Sequence, residues 1–383
     1  MPPAPPLSMT QPQTSTIPRP AAPSPDVAII HAAMRRAAEA SSDKTPILSL
    51  CADLRPEAHG ERPYARAELI VVRDRLNRLV EEQPAHSPAR RSVEADRERV
   101  MRTLEDEALI DAEGLAVLAC DGLGLWEALA TAEPFETDVV AGPIADLYQL
   151  ARLADANEGA VVALVDSQHC RLFTWRRGAL RERTTLADEG EEHRRHDQGG
   201  WSQSSFQRHI DEQDRRFHRR VAEAIDRLAA AQHASTIVIA ADERSSGAVL
   251  AELPERARSL VSDIRRIAIG AGRDEVESEV APLLAGLAAD RSSQLADRAV
   301  AGARAGDLGA VGIEEVRTFL AAGAVAELVL DGDAMANADR WERARLVRAA
   351  LLTDASVVVA DHAGLRGRGG VGAVLRFRPS AGH

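Results

Sequence analysis

Hydrophobic and polar positions along the chain switch repeatedly between a period of about 3.6 and short unbroken apolar runs, so helices and buried strands alternate. Residues 27–40 form a short amphipathic helix pattern, and the apolar run 46–51 reads as a buried strand. Two longer helical patterns follow at 62–82 and 90–109, with apolar residues at i, i+3 and i+4. A second apolar run, 114–120, ends at the turn signal Asp121-Gly122. Strand character returns at 161–166 and 171–175 across the short polar turn Ser167-Gln168-His169, a hairpin signal. A polar stretch then reaches Gly200. The next helix, 204–232, carries Phe206, Ile210, Phe217, Val221, Ile225 and Leu228 on one face. Strands are predicted at 235–240 and 264–269.

A long helix over 274–305 opens the last part of the chain. It is followed by a helix at 313–322, a strand at 325–330, a helix at 340–352, a strand at 355–360 and a closing strand at 372–377. Strands interleaved with helices imply an α/β fold. The 383 residues exceed one ordinary core, and the expected organisation is three domains, 26–153, 154–272 and 273–383, the last an α/β/α sandwich. Residues 1–25, rich in Pro, Ser, Thr and Ala and lacking an apolar segment, read as a disordered tail.

Composition narrows the function classes. No apolar run approaches the roughly 20 residues that cross a bilayer, and no membrane partner is expected. Three dispersed cysteines without C-x-x-C spacing argue against a disulfide framework or structural zinc and fit a reducing cytoplasm. Lys44 is the only lysine; codon bias in a GC-rich genome accounts for the arginine excess. A net charge of −12 excludes indiscriminate coating of nucleic acid, DNA included. Residues 171–220 depart from that balance, with twelve arginines against nine carboxylates and five of the twelve aromatics. A selective RNA contact has this composition; so does a solvated mixed-charge helix.

Candidate motifs thin out on inspection. Gly367-x-Gly369-x-x-Gly372 matches a dinucleotide fingerprint in letters, but a strand follows it where a helix must stand. His193 and His196 have i, i+3 spacing inside a polar loop with no third ligand at a diagnostic distance, so no metal and no other cofactor is expected. What remains is Gly199-Gly200-Trp201-Ser202-Gln203, the end of a polar loop that opens a basic helix. The glycines let the backbone approach another surface, Trp201 offers a stacking face, and Gln203 a neutral donor and acceptor. Ser202 or Ser204 would cap the helix. A glycine hinge before a capped helix reads the same residues without any ligand.

This loop, with Phe206 at matching spacing and the basic run Arg208, Arg215-Arg216-Phe217-His218-Arg219-Arg220, resembles the Gly-Gly-Gln-Ser motif and following helix of archaeo-eukaryotic release factors, the family of Pelota. The likeness extends over residues 155–380 through Gly312–Leu320, Ala326–Leu330 and Gly370–Phe377, and more loosely over 45–153, as in the bacterial branch. The resemblance implies a three-domain monomeric factor in the ribosomal A site, entering with the elongation factor EF-Tu. Gly199, Gly200, Trp201, Ser202, Gln203, Arg208, Arg215, Arg216, Arg219 and Arg220 would contact rRNA or tRNA. The family's catalytic glutamine position holds Trp201, whose indole donates but cannot accept. Two readings follow: a hibernation factor acting by occupancy, or a peptidyl-tRNA hydrolase in which Gln203 serves as the catalytic glutamine.

Overall fold

The computed structural model describes residues 27–55, 64–106, 109, 112–131, 133–156, 159–176, 179–187, 203–232 and 234–379. The expected tail and residues Gly199 to Ser202 of the loop lie outside them. No described helix is long and apolar enough to cross a membrane.

The chain begins with α1 (Val27–Glu39), β1 (Ile47–Asp53), α2 (Tyr64–Glu81) and α3 (Pro88–Leu104), then β2 (Gly114–Cys120), β3 (Leu125–Thr131), β4 (Asp138–Gly142) and α4 (Tyr148–Ala156). Ser87 starts α3: its side chain accepts from the Arg90 amide at 3.0 Å, and Pro88 fills the first turn, where no amide partner is needed. The four strands pair antiparallel in the order β3-β2-β1-β4. Because β1 and β2 are covered on both faces, each reads as a continuous apolar run. Alternate side chains part to opposite faces: Leu48, Leu50, Leu115 and Val117 meet Val72 and Leu76 of α2 and Val100 of α3. Ile47, Cys51, Ala116 and Leu118 meet Ile30 and Met34 of α1 and Leu147 and Leu150 near α4.

The second sheet is built from β5 (Ala160–Val165), β6 (His169–Arg176), β7 (Ala179–Ala187), β8 (Thr236–Ala241) and β9 (Val261–Arg265), in the order β7-β6-β5-β8-β9. The β5–β6 hairpin is present, its turn held by Asp166 Oδ1 accepting from the amides of Gln168 and His169 at 2.7 and 2.6 Å. The polar stretch after it contains β7, an exposed edge strand rich in Arg, Glu and Thr that lacks an apolar signature. Strand β9 lies earlier than the apolar spacing suggested, because Ile267 and Ile269 pack as loop residues in the core beneath the next helix. Helices α5 (Gln203–Ala231), α6 (Glu243–Glu252) and α7 (Glu255–Arg258) cover one face of this sheet. The other face is covered by the N-terminal half of α8 (Arg273–Ala305), through Val276, Val280 and Leu284.

The third sheet, in the order β10-β13-β11-β12, joins β10 (Gly309–Val311), α9 (Ile313–Ala321), β11 (Val325–Asp331), α10 (Gly332–Ala336), α11 (Arg340–Leu352), β12 (Ser356–Ala360), α12 (Ala363–Arg366) and β13 (Val371–Leu375). The C-terminal half of α8 covers one face through Leu295, Ala296 and Ala299, and α9 and α11 cover the other, which makes the expected α/β/α sandwich. Gly369 and Gly370 turn the chain into β13 at φ 82° and 72°. A side chain at Gly370 would strike Ala334. These glycines make a tight entry into a central strand and face no helix N-terminus of their own.

Two features join the three sheets. Helix α8 has 33 residues, about 50 Å in length, with Pro282 inside it, and serves the second sheet with one half and the third with the other. The first and third sheets share a core in which α1 and α4 pack against α11 and β12. Arg340 pairs with Asp138 and Asp146, Arg343 reaches Asp146 at 3.5 Å and lies 4.1 Å over the Tyr148 ring, and Arg348 donates to the Ala38 carbonyl at 2.6 Å.

Candidate nucleic-acid interface

The basic helix predicted from the sequence is α5. Around its axis Phe217, Val221, Ala224, Ile225 and Ala229 fall on one arc and are buried against β5 and β6, where Val161, Ala163, Cys170 and Leu172 meet them. Arg215, Arg216, Arg219 and Arg220, at i, i+1, i+4 and i+5, fall on the opposite arc and are exposed, Arg216 to 71%. The same periodicity that builds the core thus gathers four guanidiniums on one solvent face. Arg208 lies about two turns towards the N-terminus of the same helix, and its side chain lies outside the described residues.

Gln203 is the first residue of α5, which puts it at the positive end of a 29-residue helix. Ser204 therefore stands inside the first turn and not at the cap; Ser202 lies outside the described residues. Gly199, Gly200 and Trp201 do too, so the loop is fixed only by its ends, the edge strand β7 before it and α5 after it.

The arginines are not bare charges. Glu252, at the end of α6, accepts from Arg215 Nε at 2.9 Å and from Arg219 Nε at 3.2 Å. First Arg215 and then Arg219 hold its carboxyl below the usual range. Arg216 pairs with Glu212 at 3.3 Å along α5. Arg244 of α6 pairs with Asp214 of α5 at 3.4 Å. Asp242 sets the start of α6 by accepting from the amides of Arg244 and Ser245 at 2.8 and 2.9 Å, which brings Arg244 beside α5. Asp214, Arg215, His218, Arg244 and Glu252 line a groove of about 420 Å³ between the two helices. Sequence reasoning found the α5 arginines but missed Glu252 and Arg244. No local signal marks a partner 37 residues away; only the packing of α6 on α5 makes the pair.

Elsewhere, the junction of the second and third sheets leaves a cleft of about 520 Å³ lined by Trp175, Thr236, Arg291 and Asp155. Burial pushes the Asp155 carboxyl up to about 6, although it accepts from the Val359 amide at 2.8 Å. The three cysteines are free and buried, and burial pushes the Cys170 thiol up to about 12. His193 and His196 lie outside the described residues, among which no group of three or more His, Cys, Asp or Glu can hold a metal ion.

No curated protein matches the chain. Among solved structures, an archaeal translation termination factor, aRF1, aligns over 92% of this chain and 98% of its own at 15% identity and a TM-score of 0.27. A chain from ribosome-bound archaeal Pelota and ABCE1 aligns over 92% and 94% at 14% identity and 0.42. Dom34 of S. cerevisiae, a translation termination-like factor, aligns over 67% and 74% at 11% identity and 0.41. The family model for bacterial archaeo-eukaryotic release factor family 10 matches residues 146–285, the stretch that runs from α4 into α8 and holds β5 to β9 and the whole of α5.

Proposed function

We propose that this protein is a cytoplasmic, ribosome-associated factor that occupies the A site, and that it acts by occupancy, as the hibernation factor Balon does, without cleaving the peptidyl-tRNA ester. The observation that carries the reading lies within the family match: the exposed arc Arg215, Arg216, Arg219 and Arg220 stands on the helix that follows the Gly199-Gly200-Trp201 loop, about three turns from its start. Phosphate contacts from that arc would set the register on RNA, and Trp201 would stack on a base. The units 26–153, 154–272 and 273–383 would face the decoding centre, an rRNA or tRNA-like surface and the stalk base, with EF-Tu as the delivering partner and the factor itself a monomer. Trp201 in the glutamine's place supports occupancy over hydrolysis, since an indole cannot accept a hydrogen bond from an attacking water.

Co-sedimentation with ribosomes at physiological salt tests the reading. The wild type should pellet with ribosomes, and Trp201→Ala combined with Arg216→Gln and Arg220→Gln should stay in the supernatant. Retention of that variant on the ribosome would overturn the assignment of the α5 arc. The hydrolytic reading has one observation in its favour, the seat of Gln203 at the positive end of α5, where a developing oxyanion would be stabilised. Peptide release from stalled ribosomes decides between the two: occupancy requires none from the wild type, whereas release abolished by Gln203→Ala would establish the enzyme.

A further inference from the structure

Glu252 stands where an external anion would. Its two carboxylate oxygens each take one guanidinium, Oε1 that of Arg215 at 2.9 Å and Oε2 that of Arg219 at 3.2 Å, the arrangement by which two arginines hold two oxygens of a phosphate. Both arginines are more than half exposed, while Glu252 is 17% exposed and lies over the groove between α5 and α6. A second polar group lining that groove lacks a partner among the described residues. His218 is 5% exposed, and its Nδ1 lies 2.7 Å from the Asp214 carbonyl, which can only accept. Nδ1 therefore carries a proton, and in the tautomer that bears only that proton Nε2 presents a lone pair, buried and without a hydrogen-bond partner among the described residues. A phosphodiester oxygen cannot donate to that lone pair. A ribose 2′-hydroxyl can, and it is the group that separates RNA from DNA.

We propose that the α5–α6 groove is a seat for one segment of RNA backbone, and that Glu252 is its internal stand-in, holding Arg215 and Arg219 in place until a phosphate takes its position and a 2′-hydroxyl donates to His218. The inference rests on the ribosome-associated reading above and adds a gate to it. In the free protein Glu252 neutralises the pair and keeps the arc from binding nucleic acid at random, which suits an acidic protein that must find one RNA site. On the RNA site the exchange releases Glu252 to solvent and leaves both guanidiniums on phosphate. A carboxylate that merely stapled α5 to α6 would have no such effect on RNA affinity.

Fluorescence anisotropy of the full chain with a labelled oligouridylate of ~16 nucleotides tests this. Glu252→Gln should tighten RNA binding about fivefold at moderate salt and steepen the log-log salt dependence by ~0.7 for each phosphate gained. Glu255→Gln, which removes an equal charge from the neighbouring α7 without touching α5, should leave both unchanged. Adding Arg215→Gln and Arg219→Gln to Glu252→Gln should erase the gain. The deoxy oligonucleotide should gain less than the RNA, and polyglutamate should not bind. Equal gains from Glu252→Gln and Glu255→Gln, a gain that survives loss of both arginines, an equal gain on DNA, or polyglutamate binding that matches RNA would each overturn the proposal. A lower melting temperature for Glu252→Gln with unchanged RNA affinity would show a staple only. Ribosome co-sedimentation of the wild type is run alongside: if it persists while Glu252→Gln gains nothing, the gate fails and the ribosome reading stands.

Discussion

Asp96 of α3 offers a sharp test of the first unit's energetics. Its side chain is 2% exposed and accepts from the Asp121 amide with both oxygens, at 3.0 and 3.2 Å, while Ser92 Oγ accepts from the Gly122 amide at 2.9 Å. Together they fix the turn between β2 and β3. Burial pushes the Asp96 carboxyl up to about 6, against an ordinary 3.8, despite the Asp121 amide, which pulls it down. A rise of that size means that ionising Asp96 costs the folded state ~3 kcal/mol more than the unfolded chain. The folded state therefore holds a proton between pH 3.8 and about 6 that the unfolded chain has released. This contribution to stability is complete below pH 3.8 and is lost as pH rises through about 6. Asp96→Asn keeps an acceptor for the Asp121 amide and never ionises, but it adds an amide donor that costs ~1 kcal/mol where no acceptor meets it. The variant should be about 2 kcal/mol more stable than the wild type at pH 7.5, and equal or less stable at pH 4.5. Calorimetric melting at the two pH values reads this as a difference, with roughly 2–4 °C for each kcal/mol in a unit of this size. Comparing variant with wild type at each pH cancels the opposite trend of carboxylates such as Asp331 and Glu342, which their partners hold low against burial. The same melting difference at both pH values, or a wild type that is the more stable at pH 7.5, would refute the reasoning.

Two further outcomes test how the parts are joined. A methyl group at Gly142 would be driven into the ring of Trp341, so Gly142→Ala should loosen the contact between the first and third sheets by about 1–3 kcal/mol, read as earlier proteolysis at that boundary; Trp341→Leu added to it should restore much of the loss. Arg171 donates to both oxygens of Glu182 at 2.8 and 2.9 Å and to the carbonyls of Ile269 and Ala271 at 2.9 and 2.7 Å, which ties the β6–β7 hairpin to the entrance of α8. Arg171→Met should cost about 2 kcal/mol and speed hydrogen exchange at residues 266–272 first; uniform exchange across the second sheet would show that the tie is not local.

The legible elements are those whose own residues dictate their periodicity. Strand β2 is an unbroken apolar run and α11 is built of strong helix formers (Arg, Ala, Leu, Glu), and both stand at the ends read for them, because β2 is buried along its full length and α11 is bounded by Asp339, which caps the Glu342 amide at 2.8 Å. The short helices α4 and α6 escaped, and so did the edge strands β3 and β7. Glu127 interrupts β3, which is mostly part-exposed, and β7 is polar from Arg181 to Thr185 between Leu180 and Leu186, so neither has an unbroken apolar run to announce it. Their pairing to β2 and β6 makes them strands, and pairing is invisible in a window of ten residues.

The candidate site divides in the same way. Its arginine arc is a consequence of helical period and could be read from Phe217, Val221 and Ile225 on the opposite face. Its restraint could not, because Glu252 reaches Arg215 and Arg219 only through the packing of α6 on α5. By the count of charges over 171–220 alone, a solvated mixed-charge helix outweighs a selective RNA contact. The geometry shows why both descriptions fit: the arc is exposed and basic, and two of its four guanidiniums, those of Arg215 and Arg219, are matched by a carboxylate from another helix. What separates an interface from a solvated face is then whether that carboxylate yields to a phosphate, a property of one residue that substitution of Glu252 measures directly.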